Sequence, residues 1–283
     1  MFTLKIENRF GDVLELTHNK NYVVTKIDGL NPPKAKINLS DIAGMNGSLF
    51  NSAKAETRNI VLTVLPQNPV ERNRLALYKY AQVAQWCKIY YSNGSVDVQI
   101  EGYVETVEGS LFSRPQSFQI SIICPQPYFE GLHEIYNDIS SLVANFEFPF
   151  SIDIGSPVEF SYLNHDVLST VTNIGDVETG LSIYITARGE VVNPVIYDAT
   201  SGGSIGLNIT LRNRDQVIIN TNSGSRSVKL LSGAKETNII DKVDPDPTWF
   251  ILHPGENIFS YDADSGVDLM SIVFRHRTKY GGV

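Results

Sequence analysis

The closest approach to a chemical motif in this sequence is a run of alternating carboxylates, Asp262-Ala263-Asp264-Ser265-Gly266-Val267-Asp268. Acidic side chains at every second position around a glycine resemble the start of a calcium loop, in which several carboxylate oxygens converge on one hard cation. Val273 stands where such a loop needs its bidentate glutamate. A turn between two strands explains Asp, Ser and Gly here without a metal. The second acidic stretch, Asp241 to Pro247, contains Pro245 and Pro247 and reads as a rigid surface loop.

Other catalytic chemistries lack their residues. His18, His133, His165, His253 and His276 are scattered, without metal spacing such as HExxH. There is no GxSxG elbow, phosphate-binding loop or GxGxxG. Cys87 and Cys124 have no histidine nearby in sequence to act as a base, and two cysteines do not complete a four-ligand zinc site. We read both as buried thiols. Trp249, beside Phe250, together with Tyr184 and Tyr197, are the candidates for a glycan contact; the competing reading places such aromatics in a core. No carboxylate pair stands out for glycoside hydrolysis, whose spacing is spatial. The expectation is a protein without catalytic residues, cofactor or metal.

The elements that would position these residues are mostly strands. The chain has 283 residues, enough for two domains, with 42% hydrophobic and 19% charged residues. Residues 1–140 carry 13 Lys and Arg against 14 Asp and Glu, whereas residues 141–283 carry 10 against 17. That balance argues against nucleic-acid binding by a basic face and supports a division near the middle. Met1–Phe10 lacks the apolar core of a signal peptide, and no run approaches the length of a membrane helix. We therefore expect a soluble protein with no membrane partner.

Period-two alternation marks Phe2–Ile6, Tyr22–Asp28, Thr57–Leu65, Val96–Ile100 and Phe118–Ile122 as strands, with an Asn93-Gly94 hairpin turn. Asp41–Ala53 is rich in Gly, Asn and Ser and reads as a surface loop or arm, although Met45, Leu49 and Phe50 are apolar. A helix is expected from about Val70 to about Trp86 after Pro69. Its stripe is Val70, Leu77, Ala81, Ala84 and Cys87, with Leu75, Tyr78 and Trp86 outside it. So wide an apolar surface fits either a helix sunk in its own domain or a second contact with an oligomer neighbour. A short helix near Ile139–Ala144 leads into a linker, and about ten short strands follow, as in a β-sandwich or jelly roll. The expected division is a β-domain with one helix at 1–135, a linker at 136–150 and a sandwich at 151–283.

Three segments carry a family resemblance. They are Thr57–Trp86 with its VERNRLALYKYAQ helix, the GYVETVEGSLFSRPQSFQISIICPQPYF stretch, and Pro254-Gly255-Glu256-Asn257 with Phe259–Tyr261, Ile272–Arg277 and Tyr280-Gly281. In these the chain resembles, over nearly its whole length, the siphovirus tail component family, the distal tail proteins of long-tailed phages. The resemblance implies a ring-forming, tail-tube-like β-domain and a galectin-like β-sandwich. It implies a homo-hexamer, as a single or a double ring, at the distal end of the tail in a virion assembled from protein made in the host cytoplasm. Such a hub joins the tail tube protein to the tail-associated fibre or lysin protein, in many phages carries receptor-binding proteins, and lets DNA pass through its channel. Some relatives carry an inserted carbohydrate-binding module, for which this chain has little room. On this reading Met45, Leu49, Phe50, Leu75, Tyr78 and Trp86 are the expected oligomer contacts. The alternatives are a carbohydrate-binding protein recognising host surface glycans and, third, a glycoside hydrolase.

Overall fold

The computed structural model describes residues 2–44, 46–138, 141–144, 161–164 and 168–283. The chain forms two compact units, Met1–Leu132 with Lys279–Val283, and His133–Thr278.

Alternating burial builds the first unit. Its strands are β1 (Thr3–Asn8), β2 (Val13–Glu15), β3 (Tyr22–Asp28), β4 (Ala35–Asp41), β5 (Ser48–Ala55), β6 (Arg58–Pro66), β7 (Trp86–Ser92), β8 (Asp97–Gly109), β9 (Phe118–Cys124) and β10 (Phe129–Gly131). They assemble an antiparallel sheet ordered β2-β1-β7-β8-β9-β6-β3, with β10 pairing β8. Every second residue enters the core, as with Leu4 and Ile6, Ile60, Leu62 and Val64, and Phe118, Ile120 and Ile122. The Asn93-Gly94 turn forms as expected: Gly94 takes a positive φ and the Asn93 side chain accepts from the Ser95 and Val96 amides.

The one α-helix among the described residues, α1 (Val70–Tyr80), is shorter than the sequence suggests. The Ala84 amide donates to the Val104 carbonyl at 2.8 Å and the Val104 amide to the Gln85 carbonyl at 3.1 Å. The backbone is thus committed to the sheet before Trp86, which opens β7 rather than ending a helix. Leu77 faces the core, and so does Asn73, whose side-chain amide donates to the Gln67 carbonyl.

Two boundaries also differ from the sequence expectation. Residues 279–280 form a strand paired with β10, so the end of the chain belongs to the first unit rather than to the sandwich. Arg58 supplies the reason: its buried guanidinium donates to the carbonyls of Gly29, Asn31, Pro127 and Gly281 and lies 4.4 Å from the Phe129 ring centroid. Within the expected linker, β11 (Ile135–Asp138) is a paired strand of the second unit. Residues 141–144 are β12 (Ser141–Ala144), not a helix, and pair with β13 (Ser161–Asn164). The rest of that linker, 139–140 and 145–150, lies outside the described residues.

The second unit continues with β14 (Ser169–Asn173), β15 (Ser182–Ala187), β16 (Val191–Asp198), β17 (Gly203–Gly206), β18 (Thr210–Leu211), β19 (Gln216–Asn220), β20 (Ser227–Ser232), β21 (Lys235–Asn238), β22 (Gly255–Ser265) and β23 (Met270–His276). One sheet runs β11-β23-β15-β19-β20-β21 and the other β14-β22-β16-β17, with β18 also on β16. Between them Phe259 contacts Phe274 edge-on at 4.7 Å and Phe250 at 5.5 Å. Ile183, Ile185, Ile196, Met270 and Ile272 complete a sandwich core. The molecule is mainly β, as its sequence predicts.

Candidate oligomer interface

The stretch read as a loop or arm is a β-hairpin. Among the described residues β4 and β5 pair only with each other, and none of their residues is buried. The Glu56 amide closes its base on the Lys34 carbonyl, and Asn38–Ser52 at 2.9 Å, Ser48–Asp41 at 2.7 Å and Asn51–Ser40 at 2.6 Å tie it across. A register shift after Asn38 places Leu39 opposite Phe50, while Ile37 lies opposite Ala53. Strand alternation therefore collects Ile37, Leu39, Phe50 and Ala53 on one side. Lys36, Lys54, Asn38, Ser52 and Leu49 take the other.

This hairpin exposes what a folded chain normally covers. Ile37, Leu39, Leu49 and Phe50 are all exposed, Phe50 by 61%. An isolated two-stranded hairpin is at best marginally stable in water. An amphipathic one gains most from laying its apolar side on another surface.

The other expected contacts scatter. Met45 lies outside the described residues. Leu75 is exposed on α1. Tyr78 turns inward, edge-on to Phe118 at 6.0 Å. Trp86 lies on the outward face of the sheet, where its indole N–H donates to Glu101 at 3.3 Å and Lys88 sits 5.6 Å from its ring. Sequence reasoning passed over Ile37 and Leu39, although Ala35–Asp41 alternates apolar with polar residues. It also passed over Leu111 and Phe112 in the loop between β8 and β9. Phe112 is fully exposed there. A lone Phe in a Ser-rich loop carries no period to betray its environment.

Among the described residues the candidate chemical groups lie apart. Burial pushes the Cys87 and Cys124 thiols up to about 12, Cys87 further raised by Cys124 beside it. Among the described residues no three His, Cys, Asp or Glu side chains are grouped to hold a metal ion. Gly266 of the acidic run takes a positive φ, and a Cβ there would lie 2.1 Å from the Glu190 carbonyl oxygen, so the turn itself requires the glycine. Nor do the glycan candidates meet. Tyr184 is on β15 and Tyr197 on β16, in different sheets. The Arg275 guanidinium lies 4.1 Å from the Tyr184 ring, and Arg226 lies 5.3 Å from that of Trp249, which packs on the core.

Residues 174–277 match the family model of the siphovirus-type tail component, C-terminal domain. The matched stretch lies wholly within the second unit. Around that stretch the similarity extends to the fold of the whole chain. The Dit protein of phage SPP1, described as a paradigm of the hub of the adsorption apparatus in phages infecting Gram-positive bacteria, superposes with a TM-score of 0.69. It is 14% identical, and the match covers 98% of this chain and 99% of that one. A chain of the phage P2 baseplate in its activated conformation with Ca matches at a TM-score of 0.57 and 12% identity, over 100% of both chains. At these identities the likeness is one of fold. No curated protein sequence matches the chain. The matched stretch ends at Arg277, and the chain returns to the first unit at Lys279.

Proposed function

We propose that this chain is the structural hub subunit at the distal end of a phage tail. Six copies close a ring through their first units, the ring continues the tail tube toward a fibre or lysin protein, and DNA leaves through its channel. Receptor-binding proteins attach through the second unit in phages that carry them. The observation that carries this reading is the hairpin of β4 and β5, whose apolar side has no cover among the described residues, in a chain that shares the fold of a tail hub over its whole length. A closed ring needs a heterologous contact, in which an arm of one copy meets a different surface of the next.

Charge supports the channel part. On the outward face of the first unit's sheet, Glu7, Glu15, Asp28, Asp97, Glu101, Glu105, Glu108 and Glu130 outnumber Lys5, Lys26, Lys88 and Lys279. Lys88 is paired with Glu101 at 2.9 Å. A wall of that kind repels phosphates and does not hold passing DNA.

Light scattering on a size-exclusion column, with negative-stain images of the peak, tests the reading. The expected particle holds six or twelve copies of the 31.4 kDa chain around a central hole. A monomer at every concentration, alone and mixed with the tail tube protein, overturns it.

A further inference from the structure

The sheet β14-β22-β16-β17 carries a groove of about 300 Å³ on its outward side, at the lower end of the range of ligand pockets. Tyr197 stands in it between two small cross-strand neighbours, Ser204 and Ser260. With partners this small on both sides the Tyr197 side chain stays 42% exposed. Next along β16, Val195 is opposed by Gly206 and Asp262, so the floor stays low. That floor depends on the glycine: a Cβ at Gly206 would lie 2.0 Å from Asp244 Oδ2. Gly206 thus lets the Asp244 carboxylate lie against the sheet, where the Asp244 amide donates to the Gly206 carbonyl at 3.1 Å.

One pair of the groove's polar groups is held in place. Asn193 takes a left-handed conformation, φ 49°, its amide donating to the Ile209 carbonyl and its side-chain Nδ2 to Asp264 Oδ2 at 2.7 Å. This leaves the Asn193 side-chain oxygen and the second Asp264 oxygen for a ligand. Asn208 also lines the groove, and among the described residues the side chains of Asn208 and Asp244 have no hydrogen-bond partner.

We propose that this groove binds a pyranose, neutral or amine-bearing, either free or as a unit of a polysaccharide. A sugar ring offers a face of C–H groups to an aromatic ring and a rim of hydroxyls that both donate and accept. Tyr197 meets the first need, and the carboxamides of Asn193 and Asn208 with the carboxylates of Asp244 and Asp264 meet the second. Two carboxylates on one rim disfavour an anionic ligand, so phosphate-bearing and uronate-bearing units are rejected. The site lies within the second unit and does not rest on the ring reading.

Saturation-transfer NMR on the full-length protein tests it. The probes are glucose, galactose, mannose, N-acetylglucosamine, glucosamine, glucuronic acid and glycerol phosphate, and then a polysaccharide of whichever sugar binds. We expect transfer to at least one neutral or amino sugar with a Kd in roughly the millimolar range. It should be lost in Tyr197→Ala and weakened about tenfold or more in Asp264→Asn. Tighter binding of the polysaccharide marks the sugar as one unit of a longer ligand; equal binding marks the free sugar. Transfer to none of the neutral or amino sugars, preference for glucuronic acid or glycerol phosphate, or binding unchanged in both Tyr197→Ala and Asn208→Ala overturns the proposal. Tyr197 and Asn208 are exposed, so circular dichroism should be unchanged; if Tyr197→Ala does not fold, Asn208→Ala decides. The ring state, read separately by light scattering, does not enter the result.

Discussion

The Arg58 guanidinium donates from Nη2 to the backbone carbonyl of Gly281, 223 residues further along the chain. The same side chain donates from Nε to the Pro127 carbonyl at 2.7 Å and from Nη1 to the Asn31 carbonyl at 2.6 Å. It is 3% exposed and its partners are carbonyls, with no carboxylate among them. Arginine suits this post because its fork of donors meets several acceptors at fixed angles while its charge is weakly hydrated. Arg58→Lys keeps the charge and loses the fork. We expect it to destabilise the first unit by about 3 kcal/mol, since it strands buried carbonyls. Thermal melting measures that loss, and limited proteolysis should cleave after Lys279 more readily than in the parent. An unchanged melting temperature would mean that the tail is held by other contacts.

The double variant Leu39→Ser/Phe50→Ser strips the apolar side of the hairpin without touching a buried residue. We expect an unchanged circular dichroism spectrum and, on the proposed ring reading, a monomer by light scattering under conditions in which the parent assembles. Rings of undiminished stability would move the interface to Phe112 and Leu75, for which the matching variant is Phe112→Ser.

Gly102 sits on β8 where a Cβ would lie 2.7 Å from Ile122 Cγ2 and 2.9 Å from Cys124 Sγ. Gly102→Ala therefore overpacks the sheet and should cost about 1–3 kcal/mol in chemical denaturation. The neighbouring thiols give a second reading. With burial holding Cys87 and Cys124 at about 12, neither should react with a disulfide reagent near pH 8 in the native protein, and both should react in denaturant. Native-state labelling faster than global unfolding would contradict this packing.

His276, on β23 and 3% exposed, has its affinity for a proton lowered by burial, partly offset by the backbone of Thr172. Its folded value lies below the unfolded value of about 6.5, so the unfolded chain binds the proton more readily. This contribution to stability is complete above about pH 6.5 and is lost as pH falls toward the folded value, at up to about 1.4 kcal/mol per pH unit. His276→Gln should flatten the fall of melting temperature between about pH 7 and pH 5. A parallel fall in parent and variant would assign the acid sensitivity to other groups.

Much of this molecule is legible in its residues because burial on one face of a sheet forces a period of two. Phe2–Ile6, Thr57–Leu65 and Phe118–Ile122 form strands where they are expected. Alternation says which residues are buried, not what covers them, and there the reading ran out. The helical spacing runs on to Trp86, but the Ala84 amide donates to the Val104 carbonyl and the Val104 amide to the Gln85 carbonyl, and these contacts with a residue distant in sequence end the helix first. Glycine and serine hid a hairpin between Ala35 and Ala55, because its pairing is local but its apolar side faces away from its own core. Tyr184 and Tyr197 look alike in sequence, yet they stand on different sheets, and only Tyr197 has small neighbours that leave its ring open. The sequence by itself determined two β-rich units and the faces their strands bury. The tertiary structure decided that residues 279–283 return to the first unit, because four carbonyls distant in sequence needed to meet one arginine.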